Sequence, residues 1–205
     1  MNTNSADLKY KIAREAATLL YFGAEKEYKQ AKLKAAKTLG VHFLPTNLEV
    51  ALELDRIAEE NEGPARKERL IQMRNEALKT MKILAAYGPL LIGSVWRGAT
   101  HQGSDIDIAL HHDSPGEIVN LLKANGFEVS KTEWTTVTKQ GKTESSFHIY
   151  TETLGKQRIE IVVRSLEEAS RKRKCAIFGD EIKGLNIQEL ERLLKENPAQ
   201  QFIPL

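Results

Sequence analysis

Asp105 and Asp107 stand two residues apart in the run Gly103-Ser104-Asp105-Ile106-Asp107-Ile108. On a strand that spacing sends both carboxylates to one face and Ile106 and Ile108 to the other. Neighbouring carboxylates repel, and a divalent cation relieves the repulsion, because hard oxygen donors on a shared edge suit Mg²⁺ or Mn²⁺. A strand with a simply solvated outer face carries the same short pattern. Upstream, Leu91-Ile92-Gly93-Ser94 places a glycine directly after an apolar run. Gly93 lets a polyphosphate approach the backbone closely, and the Ser94 hydroxyl and amide are donors for phosphate oxygens. Ten residues, Val95 to Ser104, return the chain from Ser94 to Asp105.

Taken together, this spacing resembles the signature of the DNA polymerase beta superfamily of nucleotidyltransferases. Gly93, Ser94, Arg97, Gly98, Ser104, Asp105, Ile106 and Asp107 match the G-S-x-x-R-G and S-D-h-D halves of its minimal nucleotidyltransferases. The resemblance implies an α+β fold, a nucleotidyltransferase-type mixed β-sheet with helices on one face, here preceded by a helical N-terminal region. It also implies a third carboxylate from a later strand. The best candidate is Glu160, a charge interrupting the apolar run Arg158-Ile159-Glu160-Ile161-Val162-Val163. Glu152 and Glu144 are weaker candidates. Glu160 equally reads as an exposed strand residue paired with Arg158 or Arg164, and family members more often carry aspartate there.

By the same resemblance, Asp105, Asp107 and Glu160 are the catalytic residues and metal ligands, holding Mg²⁺ (or Mn²⁺) against the triphosphate of an NTP substrate. Glu160 helps to activate an acceptor hydroxyl. Two metal ions would stabilise the attacking and leaving oxygens of an in-line displacement, with pyrophosphate leaving. Gly93, Ser94, Arg97 and Ser104 are the implied nucleotide-binding residues, Arg97 being equally placed to brace the turn. The acceptor is RNA, tRNA or a protein. The alternative is a nucleotide-binding regulatory or antitoxin-like interaction module without turnover, and a helical scaffold would bind no nucleotide at all.

The elements that position these residues are legible in outline. Residues 1–87 read as helix: an Ala, Lys, Glu and Leu-rich stretch from Ala6 to Leu39 with Gly40 as its stop and Gly23 as a dividing point, a helix opened by the Thr46/Glu49 capping box and closed at Gly63, and a third from Pro64 to Tyr87. Residues 88–205 form the expected catalytic domain. Strands are predicted at Leu90–Ile92, Ile106–Leu110, Trp134–Lys139, Phe147–Thr151 and Ile159–Val163, with a helix from Ser114-Pro115 to Asn125 and closing helices at Leu166–Cys175 and Ile187–Glu196. The N-terminal helices exceed what a minimal domain requires, which offers an acceptor-binding or dimerising platform and leaves a homodimer open.

Composition narrows the setting. The 205 residues carry 30 Lys and Arg against 28 Asp and Glu, a formal charge of +2, too balanced to announce a nucleic acid or membrane surface by bulk field. A single cysteine, Cys175, excludes an internal disulfide or a cysteine metal cage and fits a reducing cytosol. No apolar run reaches the length of a membrane span, and MNTNSADLKYK lacks the apolar core of a signal peptide. The expectation is a cytoplasmic chain with no membrane partner. His101, His111 and His112 lack zinc-site spacing, while His148 alternates with Tyr150 on a strand. Trp96 and Trp134 read either as base-stacking or as core residues. Arg171-Lys172-Arg173-Lys174 reads as a solvated helix face or as a contact to a polynucleotide backbone, and the lysines Lys26, Lys29, Lys32, Lys34 and Lys37 read as a solvated face unless they line the catalytic groove.

Overall fold

The computed structural model describes residues 3–139, 142–153 and 155–204. Four helices come first: α1 (Thr3–Tyr21), α2 (Tyr28–Thr38), α3 (Asn47–Glu62) and α4 (Pro64–Ile83). Gly23, at φ +70°, lies in the break between α1 and α2. The predicted capping box opens α3: Glu49 donates its amide to the Thr46 hydroxyl at 3.2 Å, and the Thr46 amide donates to the Glu49 carboxylate at 2.7 Å. Pro64 starts α4, where a missing N–H costs nothing.

The remaining elements are β1 (Leu90–Ile92), α5 (Gly93–Arg97), β2 (Ile106–His111), α6 (Pro115–Ala124), β3 (Val129–Lys139), β4 (Lys142–Glu152), β5 (Arg158–Arg164) and α7 (Ile187–Glu196). The strands form one mixed sheet in the order β1-β2-β5-β4-β3, with β2 and β5 parallel and the other neighbours antiparallel. Alternation gives it two unlike faces. Ile106, Ile108, Leu110, Ile159, Ile161 and Ile149 are buried against α4, α6 and α7. Asp107, Glu160, His148 and Tyr150, at the alternate positions, belong to the other face.

A second apolar cluster joins α1, α2 and α3 through Ile12, Ala16, Ala31, Ala35, Val50 and Ile57. Helix α4 does not belong to it. Although α4 reads with the N-terminal helices, its Leu70, Met73, Ala77 and Met81 pack into the sheet core.

Three local expectations are corrected. The segment Leu166–Cys175 forms only a 3-10 turn at Leu166–Glu168, followed by irregular chain. It offers no apolar stripe to bury: Leu166 is 55% exposed, and Arg171 and Arg173 reach back to Glu144 and Glu168. Strands β3 and β4 run further than their apolar cores suggest, because Ser and Thr continue the ladder, as in the 3.1 Å Thr136–Ser145 hydroxyl pair. The turn after β1, for which no helix is predicted, contains α5. Extended Ile92 followed by Gly93 at φ +70° turns the chain at once, and left-handed Gly98 stops the helix.

Candidate active site

The parallel pairing of β2 with β5 sets Asp107 in register with Glu160, and Asp105 immediately precedes β2. On the other side, β1 pairs Ile92 with Asp107, so the chain leaving β1 passes over the carboxylate. A Cβ built on Gly93 would stand 1.9 Å from Asp107 Oδ2. Glycine is therefore required there twice, for its positive φ and for the space the carboxylate occupies.

The three acids act on one another. Burial, with Glu160 and Asp105 adding their charge, pushes the Asp107 carboxyl up to about 8. Burial also raises Asp105; Arg158 opposes that rise and Glu160 adds to it. Arg158 Nη2 lies 2.6 Å from Asp105 Oδ1. Glu160 Oε1 is 2.5 Å from His148 Nδ1, and His148 Nε2 is 2.8 Å from the Ser146 hydroxyl. Tyr150, paired with Glu160 across β4 and β5, donates its phenol to Glu133 at 2.8 Å. Burial and that hydrogen bond raise the Tyr150 phenol.

The phosphate-binding candidates occupy different positions. Ser94 begins the second residue of α5 and borders two cavities. One, of about 230 Å³, is lined by apolar groups including Trp96, Phe178 and Ile182. The other, of about 420 Å³, contains Lys26, Ser104, Asp105 and Arg158. Tyr28, Leu54, Ala99 and Ile177 border both cavities. The Ser104 hydroxyl accepts from the His101 amide at 3.0 Å, while the Ser104 amide donates to the His101 carbonyl at 2.9 Å. Arg97 is buried and occupies the bracing position: it donates to the Phe202 carbonyl at 2.8 Å and to Asp180 at 2.6 Å. Its guanidinium also stacks 4.2 Å from the Trp96 ring centre.

Arg74 was invisible as a positioning residue among the charges of α4. It is fully buried and donates to the carbonyls of Val95, Trp96, Pro198 and Gln200. Helix α5 is thereby tied both to α4 and to the C-terminal segment. Burial lowers the Arg74 guanidinium only to about 10, so it stays charged near neutrality. His148 is the other addition; its alternation with Tyr150 was the only signal for the side it faces.

The remaining candidates lie elsewhere. Glu144 pairs with Arg171 at 2.7 Å and Arg173 at 2.6 Å. Glu152 is exposed and pairs in register with Arg158. Trp96 is buried, whereas Trp134 is 63% exposed and meets Phe147 edge-on. His101 accepts from the Gly103 amide, and His112 accepts from the Ser114 amide.

Among the described residues, no three His, Cys, Asp or Glu side chains stand converged as a metal cage. Arg158 engages Asp105 and His148 engages Glu160 instead. The donor chemistry nevertheless fits a hard cation. Asp105 and Asp107 offer oxygen, burial and the neighbouring Glu160 charge raise both carboxyls in a way that a cation would relieve, and Asp105 Oδ1 is buried without a hydrogen bond. No helix among the described residues is long and apolar enough to cross a membrane.

No protein-family model and no curated protein matches the chain. Among solved structures it is similar to a cytoplasmic RNA terminal U-transferase, with 16% identity and a TM-score of 0.33 over 57% of this chain and 34% of that one. It is similar also to Cid1 in complex with the UTP analogue UMPNPP, with 16% identity and a TM-score of 0.34 over 55% and 36%. A third similar structure is the GLD-2/RNP-8 complex, with 12% identity and a TM-score of 0.33 over 60% and 44%. The chain thus spans between 34% and 44% of the length of these solved chains.

Proposed function

We propose that the chain is a nucleotidyltransferase of the DNA polymerase beta type, moving a nucleoside monophosphate from NTP to an acceptor hydroxyl with release of pyrophosphate. The observation that carries this reading is the register of Asp107 with Glu160, with Asp105 two residues upstream and Gly93 closed over the Asp107 carboxylate. Asp105, Asp107 and Glu160 would hold Mg²⁺ or Mn²⁺, which when bound supplies charge neutralisation to the phosphoryl oxygens.

The chain's own residues do the rest. Gly93 leaves room at the turn for the Asp107 carboxylate, and Ser94, which borders both cavities, offers a phosphate its hydroxyl and amide. Ser104 holds the turn that delivers Asp105, and Arg97 braces the end of α5. Glu160 accepts the proton of the acceptor hydroxyl, while His148 holds its carboxylate in place. The ion pair of Asp105 with Arg158 and the contact of Glu160 with His148 also support a second reading, a nucleotide-binding module without turnover.

One experiment separates the two. The full chain is incubated with each labelled NTP, Mg²⁺ or Mn²⁺, and either total RNA or cell lysate. Label in RNA or in a protein band supports transfer and identifies the acceptor class. Nucleotide binding with no label in either supports the regulatory module, and no binding removes both.

A further inference from the structure

The larger cavity in front of Asp105 is walled on one side by the turn between α1 and α2 and on the other by the starts of β2 and β5. Two cations line it, Lys26 and Arg158, together with Ser94 and Ser104. Arg158, with a side chain 55% exposed, donates a directed hydrogen bond to the Gly103 carbonyl at 2.8 Å. Its approach to Asp105 is close but not aligned as a hydrogen bond, and Asp105 Oδ1 is left buried without one. Lys26 is exposed, acts on Asp105 through its charge, and has no carboxylate within ion-pair distance among the described residues.

Asp105 is thus paired with a half-exposed cation, beside a second cation, Lys26, that makes no ion pair among the described residues. A divalent ion arriving at Asp105 displaces the Arg158 charge, because two cations on one carboxylate repel. An anion entering with the ion then finds Lys26 and an Arg158 that no longer faces Asp105 and keeps only its bond to the Gly103 carbonyl, with Ser94 bordering both cavities.

We infer that Lys26 and Arg158 form a polyphosphate seat, in which Arg158 releases Asp105 to a divalent cation and turns to the anion that accompanies it. The seat follows from the cavity and its cations; only the identity of the anion, the triphosphate of a nucleotide, rests on the transferase reading.

The test is calorimetry on the full chain and its Arg158→Gln and Lys26→Gln variants, with unchanged melting temperature as the folding control. The titrants are Mn²⁺ alone, magnesium tripolyphosphate, the magnesium complex of a non-hydrolysable nucleoside triphosphate, and a single-stranded RNA oligonucleotide. Arg158→Gln is expected to tighten Mn²⁺ alone several-fold, since a competing cation is gone, yet to weaken both polyphosphate ligands by about tenfold, the loss of one charge-assisted contact. Lys26→Gln weakens both polyphosphates similarly. A merely structural Arg158 would not move the metal and the polyphosphate in opposite directions.

Unchanged affinities in both variants would overturn the seat, as would a wild-type chain that binds no polyphosphate. Loss of RNA affinity with polyphosphate affinity intact would also overturn it, assigning the cations to an acceptor backbone. Variant-sensitive tripolyphosphate binding in a chain that transfers no nucleotide would support the seat and remove the transferase reading, so the two failures are distinct.

Discussion

Asp107 pairs in register with Glu160 across the parallel junction of β2 and β5. Parallel neighbours on one face bring like charges within a few ångströms, an arrangement that destabilises a protein unless something neutralises it. Here the neutralising agents are a proton on Asp107, the Arg158 cation beside Asp105 and the His148 ring nitrogen against Glu160. A divalent ion would replace all of these at once.

Substituting Asp105→Asn together with Asp107→Asn removes two of the ligands proposed for that ion with almost no change in side-chain volume. Transfer of labelled nucleoside monophosphate is expected to fall below detection. The melting temperature without metal should hold or rise, because an amide at Asp107 is neutral without having to hold a proton at neutral pH. Retained transfer in the double variant would remove the assignment.

Gly93→Ala probes the same carboxylate from the backbone side. The added methyl meets Asp107 Oδ2 at 1.9 Å on a residue held at φ +70°, so the chain must shift and strain of about 1–3 kcal/mol accompanies the shift. Melting should drop by several degrees, and transfer should fall by about a hundredfold, since small misplacements at a reacting centre cost that much. Gly116 is the control: it lies in α6 with nothing within 4 Å of a built Cβ and no positive φ. Gly116→Ala is expected to leave transfer unchanged and to stabilise by about 0.5–1 kcal/mol.

The contrast between these glycines marks what was legible without coordinates. Gly93, Ser94, Asp105 and Asp107 lie within one short stretch, where spacing and strand alternation are enough to place them. Glu160 could be picked out because a lone charge in an apolar run signals a sheet face. Long-range partners leave no such trace. Arg74 looks like any other arginine of a charged helix, and only the folded chain brings the carbonyls of Val95 and Gln200 to it. Helix α4 has the same composition as its predecessors, so its apolar stripe did not announce that its partner was the sheet. The segment after Leu166 reads as helix by propensity, but its ion pairs with Glu144 and Glu168 take it elsewhere.

The Asp107 carboxyl also sets a pH dependence. Its value in the fold, about 8, lies above the ordinary 3.8, so the folded chain holds this proton more tightly than the unfolded chain. The stabilisation is fully present below the ordinary value and is lost as pH rises through about 8. Between those values it changes by up to about 1.4 kcal/mol per pH unit. Asp105, raised in the same direction, adds to the trend. The melting temperature of the metal-free wild type, minus that of Asp107→Asn, should therefore decline steadily as pH rises across this window. A flat difference would show that Asp107 is not held protonated.

Arg74 tests how the site is supported from beneath. Its guanidinium is fully buried among four carbonyls, with no carboxylate hydrogen-bonded to it among the described residues. Hydrogen bonds to a charged group contribute about 1.5–3 kcal/mol each, net of the water contacts they replace, and truncation leaves the carbonyls unpaired. Arg74→Met should consequently destabilise the chain by about 3–5 kcal/mol, read from denaturant unfolding. Arg74→Lys should recover little, because one ammonium cannot span carbonyls that a planar fork reaches on two sides. Two of those carbonyls belong to α5, at Val95 and Trp96. Loosening them moves Ser94 relative to Asp105, so nucleotide affinity in Arg74→Lys is expected to fall even at temperatures where the variant is fully folded. Unchanged affinity in a folded Arg74→Lys would mean that Gly93 and its closure over Asp107 orient α5 without help from α4.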